Sequence, residues 1–329
     1  MRNRHIYLFL LSFLLFTCDQ VDRAETTTVV STGSIEGAPR FNSDSAYSYI
    51  QQQVDFGPRS PNSTGHRNCG DFLLEKMGMY ADHVQAQQFN ATSQSGENFH
   101  FRNIIASFNP GAPRRLLLGA HWDTRMKADK YTADPNLSFD GANDGASGVG
   151  VLLEIARLIS LDTLKIGIDI IFFDAEDQGG LGLDWCLGSQ HWSTNKHKSG
   201  YSAYYGVLLD MVGAENATFP HEHYSKQFAP SIVDKVWNEG HKAGFSRYFI
   251  FGSGGAIEDD HYYVNVNAKI PMVNIIDMIP DGADRSDAFK SYHHTPDDNM
   301  DIISTETLHA VGTTVINLIY RENSLLPPV

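Results

Sequence analysis

Cysteine is almost missing from this chain: Cys18, Cys69 and Cys186 are the only three in 329 residues. That excludes the disulfide-dense scaffold of a small secreted domain. No two of them stand in CxxC spacing, so a zinc module built from cysteines is excluded as well. Basic residues are scarce, with 25 Lys and Arg against 39 Asp and Glu and a net charge of −14. A partner with a phosphate backbone is normally met by a basic stripe, so no nucleic acid is expected. Long apolar runs are lacking too. The stretch Ile6–Phe16 falls short of the about 20 residues that span a bilayer. Beyond residue 40 there is no repeat, no low-complexity block and no second linker.

What is present begins with MRNRHIYLFLLSFLLFTC, a basic start (Arg2, Arg4) followed by an apolar core. It reads as a signal peptide over residues 1–18. Its end, LFTC, resembles a bacterial lipoprotein signal whose cysteine becomes the acylated N-terminus, although Thr17 stands where Gly, Ala or Ser is usual. An ordinary cleaved signal with an incidental Cys18 is the alternative. Both imply export: a periplasmic protein or a membrane-anchored lipoprotein in a bacterium, the secretory pathway otherwise. Residues 19–40 are polar, rich in Thr and Ser and without period, as in a flexible tether. The rest, 41–329, reads as a single catalytic domain, long enough to bury a full core and expected as a monomer. Cys69 and Cys186 then remain, free to pair in an oxidising compartment if they meet.

Helical and strand patterns alternate through this domain. Helices are expected at 43–54, 66–80, 146–160, 228–243 and 304–321, and strands at 114–123, 166–177, 204–213 and 271–280. Strands separated by helices predict an α/β domain of three layers, with a central, twisted, mostly parallel mixed sheet flanked by helices. Ligands of such sheets bind beyond the carboxyl ends of the strands. At those ends stand His121, Asp123, Asp144, Asp174, Glu176, Asp177, Asp210, Asp260 and His294. Each alone has a plain structural role open to it. Asp144 in DGANDGASGVG suits a turn before a helix, Asp210 a strand end and His294 a loop. Carboxylates are costly to bury without a cation, and IGIDIIFFDAED drives three of them into one strand end. Gathered on one edge they predict a divalent metal, with zinc expected from a set of His and carboxylates that leaves one position open. Glu176 and Asp177 leave the strand in different directions, so one can hold the metal while the other stays free as a base.

Five motifs in order, HWDTR, GANDGASGVGVLLEIAR, IFFDAED, LLDMVG and HHTPDDN, resemble the two-metal zinc aminopeptidases of the M28 type and their relatives, the animal-type (type II) zinc-dependent glutaminyl cyclases. The resemblance runs from DFGPRSPNSTGH, near residue 55, to the C-terminus. LLDMVGAENATFP and GAIEDDHYYV are closer to the cyclases, since aminopeptidases typically carry SDHASF in place of the second. By that resemblance Asp144, Asp177 and His294 hold one zinc ion and Glu176 is the general acid and base. Asp210 and Asp260 are buried carboxylates near it. The implied reaction converts the N-terminal Gln of a peptide or exported protein to pyroglutamate with release of ammonia.

Three departures accompany it. Asp177 stands where the animal enzymes have Glu. His293 stands where they have Trp. Trp185 lies farther beyond Glu176 than their pocket tryptophan, and it is the candidate for an apolar substrate wall, ahead of Trp122 and Trp192. The set His121, Asp144, Asp177, Asp210 and His294 also matches all five ligand positions of a two-metal aminopeptidase, which is the alternative function. A binding module without activity would have lost the base or ligands, and neither is lost.

Overall fold

A strand covered on both faces can carry apolar side chains at successive positions, and this sheet is built from such segments. The computed structural model describes Met1 and residues 35–280 and 288–327. The signal at 1–18, with Cys18, and the tether up to residue 34 lie outside those residues. The strands are β1 (His83–Thr92), β2 (Asn98–Phe108), β3 (Arg115–His121), β4 (Gly167–Phe173), β5 (Tyr205–Asp210), β6 (Phe219–His221), β7 (Phe249–Ser253) and β8 (Met272–Ile276). The helices are α1 (Ser43–Val54), α2 (Thr64–Tyr80), α3 (Ala146–Ile159), α4 (Leu187–Thr194), α5 (His223–Phe228), α6 (Pro230–Lys242), α7 (Asp260–Tyr263) and α8 (Thr305–Ser324). Among these helices none is long and apolar enough to cross a membrane.

Six strands form the central sheet in the order β1-β2-β4-β3-β5-β8. β4, β3, β5 and β8 run parallel, and β1 and β2 join antiparallel at one edge. The mixed, mostly parallel sheet is therefore as expected. Side chains alternate between two cores, as the pleat requires. Leu116, Leu118 and Ala120 of β3 pack in the same core as Ile50 of α1, Val149 and Leu152 of α3, and Val315 of α8. Leu117 faces the other way, into a core with Phe173, Trp192 of α4 and Val264. That alternation makes the three layers.

Two expectations change. The β1–β2 hairpin was not anticipated, because β1 is a half-exposed edge strand without a clean apolar alternation. All four expected strands also end earlier than the sequence suggests: β3 at His121, β4 at Phe173, β5 at Asp210 and β8 at Ile276. In two of them the chain turns through the left-handed region just beyond, at Ala175 (φ 57°) and Met211 (φ 49°). The acidic residues after β4 thus sit on a loop, and the ends of the parallel strands form one rim.

One buried knot holds part of that rim. Glu222 caps α5 through the N–H groups of Tyr224 (2.8 Å) and Ser225 (2.6 Å), accepts from the N–H of Ile257 (3.1 Å), and pairs with His261 Nε2 at 2.9 Å. Against the push of burial, His261 and these amides lower the Glu222 pKa, while Glu222 and Asp259 raise that of His261. A lowered acid stabilises the fold above its unfolded value near 4.5, and a raised histidine stabilises it below its unfolded value near 6.5. The pair therefore contributes most between those pH values and fades on both sides. Glu222→Gln is expected to lower stability by ~3 kcal/mol in that window. Urea titrations across pH should show the difference from wild type narrowing toward acid and toward alkali.

Candidate active site

The loop Ala142–Gly145 carries Asp144 into the rim, and three devices hold it there. Asp298 accepts the N–H of Asn143 at 2.7 Å and of Asp144 at 3.0 Å. Asn143 in turn accepts from Gly213 N–H (2.7 Å) and donates to Tyr292 Oη (2.9 Å). Arg59, fully buried, donates to the carbonyls of Asp140 and Gly141 and so anchors the segment leading in. Gly145 has φ 106°, and a Cβ there would lie 2.6 Å from the Asp123 carbonyl oxygen and 2.9 Å from the His121 ring. Only glycine fits between them.

The loop after β4 is held in the same manner. Asp123 accepts the N–H groups of Glu176 (3.0 Å) and Asp177 (3.3 Å). Asp174 accepts those of Arg102 (2.7 Å) and Ala175 (2.9 Å), with His66 Nε2 at 2.9 Å. Both carboxylates are spent on structure, although the sequence counted them among metal-competent residues. What they hold out is the pair Glu176 and Asp177.

The structure brings the three expected metal donors together. His294 Nε2 lies 3.0 Å from Asp177 Oδ1 and 3.6 Å from Asp144 Oδ2. Asp177 Oδ2 is buried with no hydrogen-bond partner, an orphan that a cation satisfies. Burial raises the Asp177 carboxyl. In Asp144, burial is outweighed by His121, His293 and His294, which hold its carboxyl well below the usual range. His294, despite burial, is raised to about 9 by Asp177, Asp129 and Asp144. A metal at Nε2 therefore displaces a proton. His121 reaches the other side of Asp144, its Nε2 3.1 Å from Asp144 Oδ1 and 3.3 Å from Asp210 Oδ1.

These residues face a cavity of about 220 Å³ lined by Asp144, Glu176, Asp177, Trp185, Asp210, Met211, Ile257, Glu258, Asp259, Phe289, His293 and His294. A larger cleft of about 730 Å³, lined by Arg40, Arg157, Arg247 and His309 among others, holds none of the candidate residues. Glu176 opens partly onto the small cavity. Burial pushes its carboxyl well above the usual value, against His121, and Asp259, Asp177 and Asp260 push it further. Burial likewise raises Asp210 to about 7.

Asp260 needs correction. It is fully buried at the start of α7 and lies outside the cavity wall, whereas its neighbour Asp259 is in the wall. Oxygens of Glu176 and Asp259 lie within 4.8 Å of each other. Trp185 is 40% exposed and stacks on His294 with 6.5 Å between ring centroids. It rests against Gly179, where a Cβ would come within 2.0 Å of the indole. Trp122 and Trp192 are core residues. His293 stacks between His294 (3.7 Å) and Phe289 (4.2 Å) in the cavity wall. Cys69 and Cys186 are both free and buried, so they form no disulfide.

Sequence reasoning missed Arg125, Asp129, Asp298, Ile257 and Phe289. Arg125 was in view within HWDTR; it donates to the Asp177 carbonyl at 2.9 Å and lies over the Trp185 ring. Asp129 has no comparable signal, yet its Oδ1 lies 3.3 Å from His294 Nδ1.

The sheet, the rim and the donor set are those of a metallopeptidase scaffold, and the profile of peptidase family M28 matches residues 103–319. The chain belongs to that family. Among solved structures it is similar to the glutaminyl cyclase of Porphyromonas gingivalis, 46% identical over 86% of this chain and 99% of that one, with a TM-score of 0.82. The zinc-dependent exopeptidase of Parabacteroides distasonis gives the same identity, coverage and TM-score. The glutaminyl-peptide cyclotransferase of Drosophila melanogaster is 26% identical over 76% of this chain and 73% of its own length. A set of His and carboxylates of this kind suits zinc.

A histidine that holds a metal through one nitrogen is commonly oriented by a carboxylate on the other, and losing that carboxylate costs ~10- to 100-fold in affinity. Asp129→Asn is expected to weaken zinc binding by about that factor. Competition with a chromogenic chelator measures it without reference to activity.

Proposed function

We propose that the chain is a glutaminyl-peptide cyclotransferase, closing the N-terminal Gln of a peptide or exported protein into pyroglutamate and releasing ammonia. The observation that carries this is Glu176, beside a metal donor and beside Asp259, in the wall of one small cavity. The 46% identity to a glutaminyl cyclase across 86% of the chain supports it. Asp144, Asp177 and His294 would hold one zinc ion, which supplies a Lewis acid for the side-chain amide carbonyl of the substrate.

The residues do the rest. Glu176 accepts a proton from the α-amine, whose nitrogen attacks the side-chain carbonyl carbon of the same residue. Glu176 returns that proton as the C–N bond to ammonia breaks. The nucleophile comes with the substrate, and intramolecular closure lowers the entropic barrier. The raised pKa of Glu176 suits it to both transfers. Asp259, not Asp260, is the carboxylate that shares a proton with it, because like charges this close do not both ionise readily. Asp210 is the third member of the group. Trp185, Ile257 and Phe289 form the apolar walls against the glutamine side chain.

A two-metal aminopeptidase is the second reading, because His121, Asp144 and Asp210 form a trio within 4.8 Å. Export as a lipoprotein anchored at Cys18, or after ordinary signal cleavage, completes the proposal for a monomeric enzyme. The mass of the mature N-terminus tells the two routes apart.

Ammonia release from a Gln-initiated dipeptide should be lost on chelation and fall by on the order of 10²-fold or more in Glu176→Gln. Metal analysis of the active protein should give one zinc per chain. Two zinc ions together with amine release from Leu- and Ala-initiated chromogenic peptides, without ammonia, would establish the aminopeptidase instead.

A further inference from the structure

A general base must be aimed as well as poised, and the carboxylate of Glu176 has one hydrogen-bond donor among the described residues. That donor is a thiol: Cys186 Sγ lies 3.2 Å from Glu176 Oε1, nearer than its other acceptor, the Glu258 carbonyl at 3.8 Å. The contact is built rather than incidental. Cys186 N–H donates to the Glu176 carbonyl at 2.8 Å, and Leu187 N–H donates to that of Ala175 at 3.0 Å. This backbone clasp ties the start of α4 to the acidic loop. Cys186 itself sits in the left-handed region at φ 54°, an uncommon conformation for a residue with a side chain. Its side chain is fully buried.

We propose that Cys186 is a positioning residue for the cyclisation: its S–H holds Oε1 of Glu176, leaving the other oxygen to exchange the proton with the substrate. The inference rests on the proposed cyclase reaction. Burial pushes the thiol well above its usual value, and Glu176, Asp260 and Asp259 push it the same way. It therefore stays protonated and remains a donor. A neutral donor suits this place. A Lys or Arg there would pin Glu176 as a carboxylate and depress its basicity, whereas an S–H orients it at little electrostatic cost.

Packing alone and donation predict opposite orders of variants. If Cys186 only fills space, Cys186→Ala is tolerated at least as well as Cys186→Ser, which brings a hydroxyl into a buried site. If it positions Glu176, Ser keeps a donor and Ala does not. Cys186→Ala is then expected to lower kcat on a Gln-initiated peptide by on the order of tenfold with KM within about threefold. Ser should retain most of the rate, with zinc content and thermal midpoint of both variants close to wild type. An Ala variant as fast as Ser overturns the proposal.

The S–H stretching band gives a reading independent of turnover. The component removed by Cys186→Ser should move to higher wavenumber in Glu176→Ala, where only the longer contact to the Glu258 carbonyl remains. A band that stays in place overturns the hydrogen bond itself. A wild-type protein that releases no ammonia, but whose thiol band shifts in this way, sinks the cyclase reaction while leaving the contact standing.

Discussion

Carboxylates repel one another, and this fold depends on a rule for gathering them at one edge of a sheet. The rule is a division of labour. Asp123, Asp174 and Asp298 spend their oxygens on backbone N–H groups of the loops that carry Glu176, Asp177 and Asp144. A carboxylate that accepts several amides recovers part of the cost of burial, although burial still raises Asp174 and pushes Asp298 up to about 8. The loops it holds can then present further carboxylates that are not so satisfied. Asp177 keeps an unpartnered oxygen, and the carboxylate of Glu176 has a single thiol donor among the described residues. The unsatisfied set is what a metal and a substrate amine can answer.

The backbone records the same tension. Ala175, Cys186, Met211 and His294 all adopt positive φ without being glycine. Such conformations cost free energy and persist where the surroundings over-determine them. Here each lies at a point where the chain must leave a strand or loop abruptly to keep a side chain on the rim. Asp174 accepts the Ala175 N–H, the Glu176 carbonyl accepts that of Cys186, and Ser147 Oγ accepts that of Val212 just beyond Met211.

Much of this was legible from residues alone. Apolar runs that end in acids, at IFFDAED and VLLDMVG, mark buried parallel strands and their functional ends. The helix of GASGVGVLLEIAR is equally plain, since its apolar period and glycine start allow little else. Other features needed coordinates. DAED and HWD contain four acids and a histidine of similar chemistry, and only hydrogen-bond partners separate a loop clasp from a donor. Asp259 and Asp260 are adjacent, and the turn into α7 decides which one meets the cavity; a one-residue difference is invisible to a motif. Asp129 and Phe289 lie in loops without period. The β1–β2 hairpin escaped because an edge strand needs no apolar face on its solvent side.

The chain has four tryptophans, and Trp122, Trp192 and Trp237 are fully enclosed. Trp185 alone is open to water, with the His294 ring stacked on one part of the cavity and the Arg125 guanidinium over its own ring. The protein thus carries a built-in optical reporter whose environment differs from that of every other indole in it. Emission at the red edge comes from one residue at the mouth of the site. Occupancy of the cavity can therefore be followed in the untagged, unmodified protein, with the buried three serving as an internal reference.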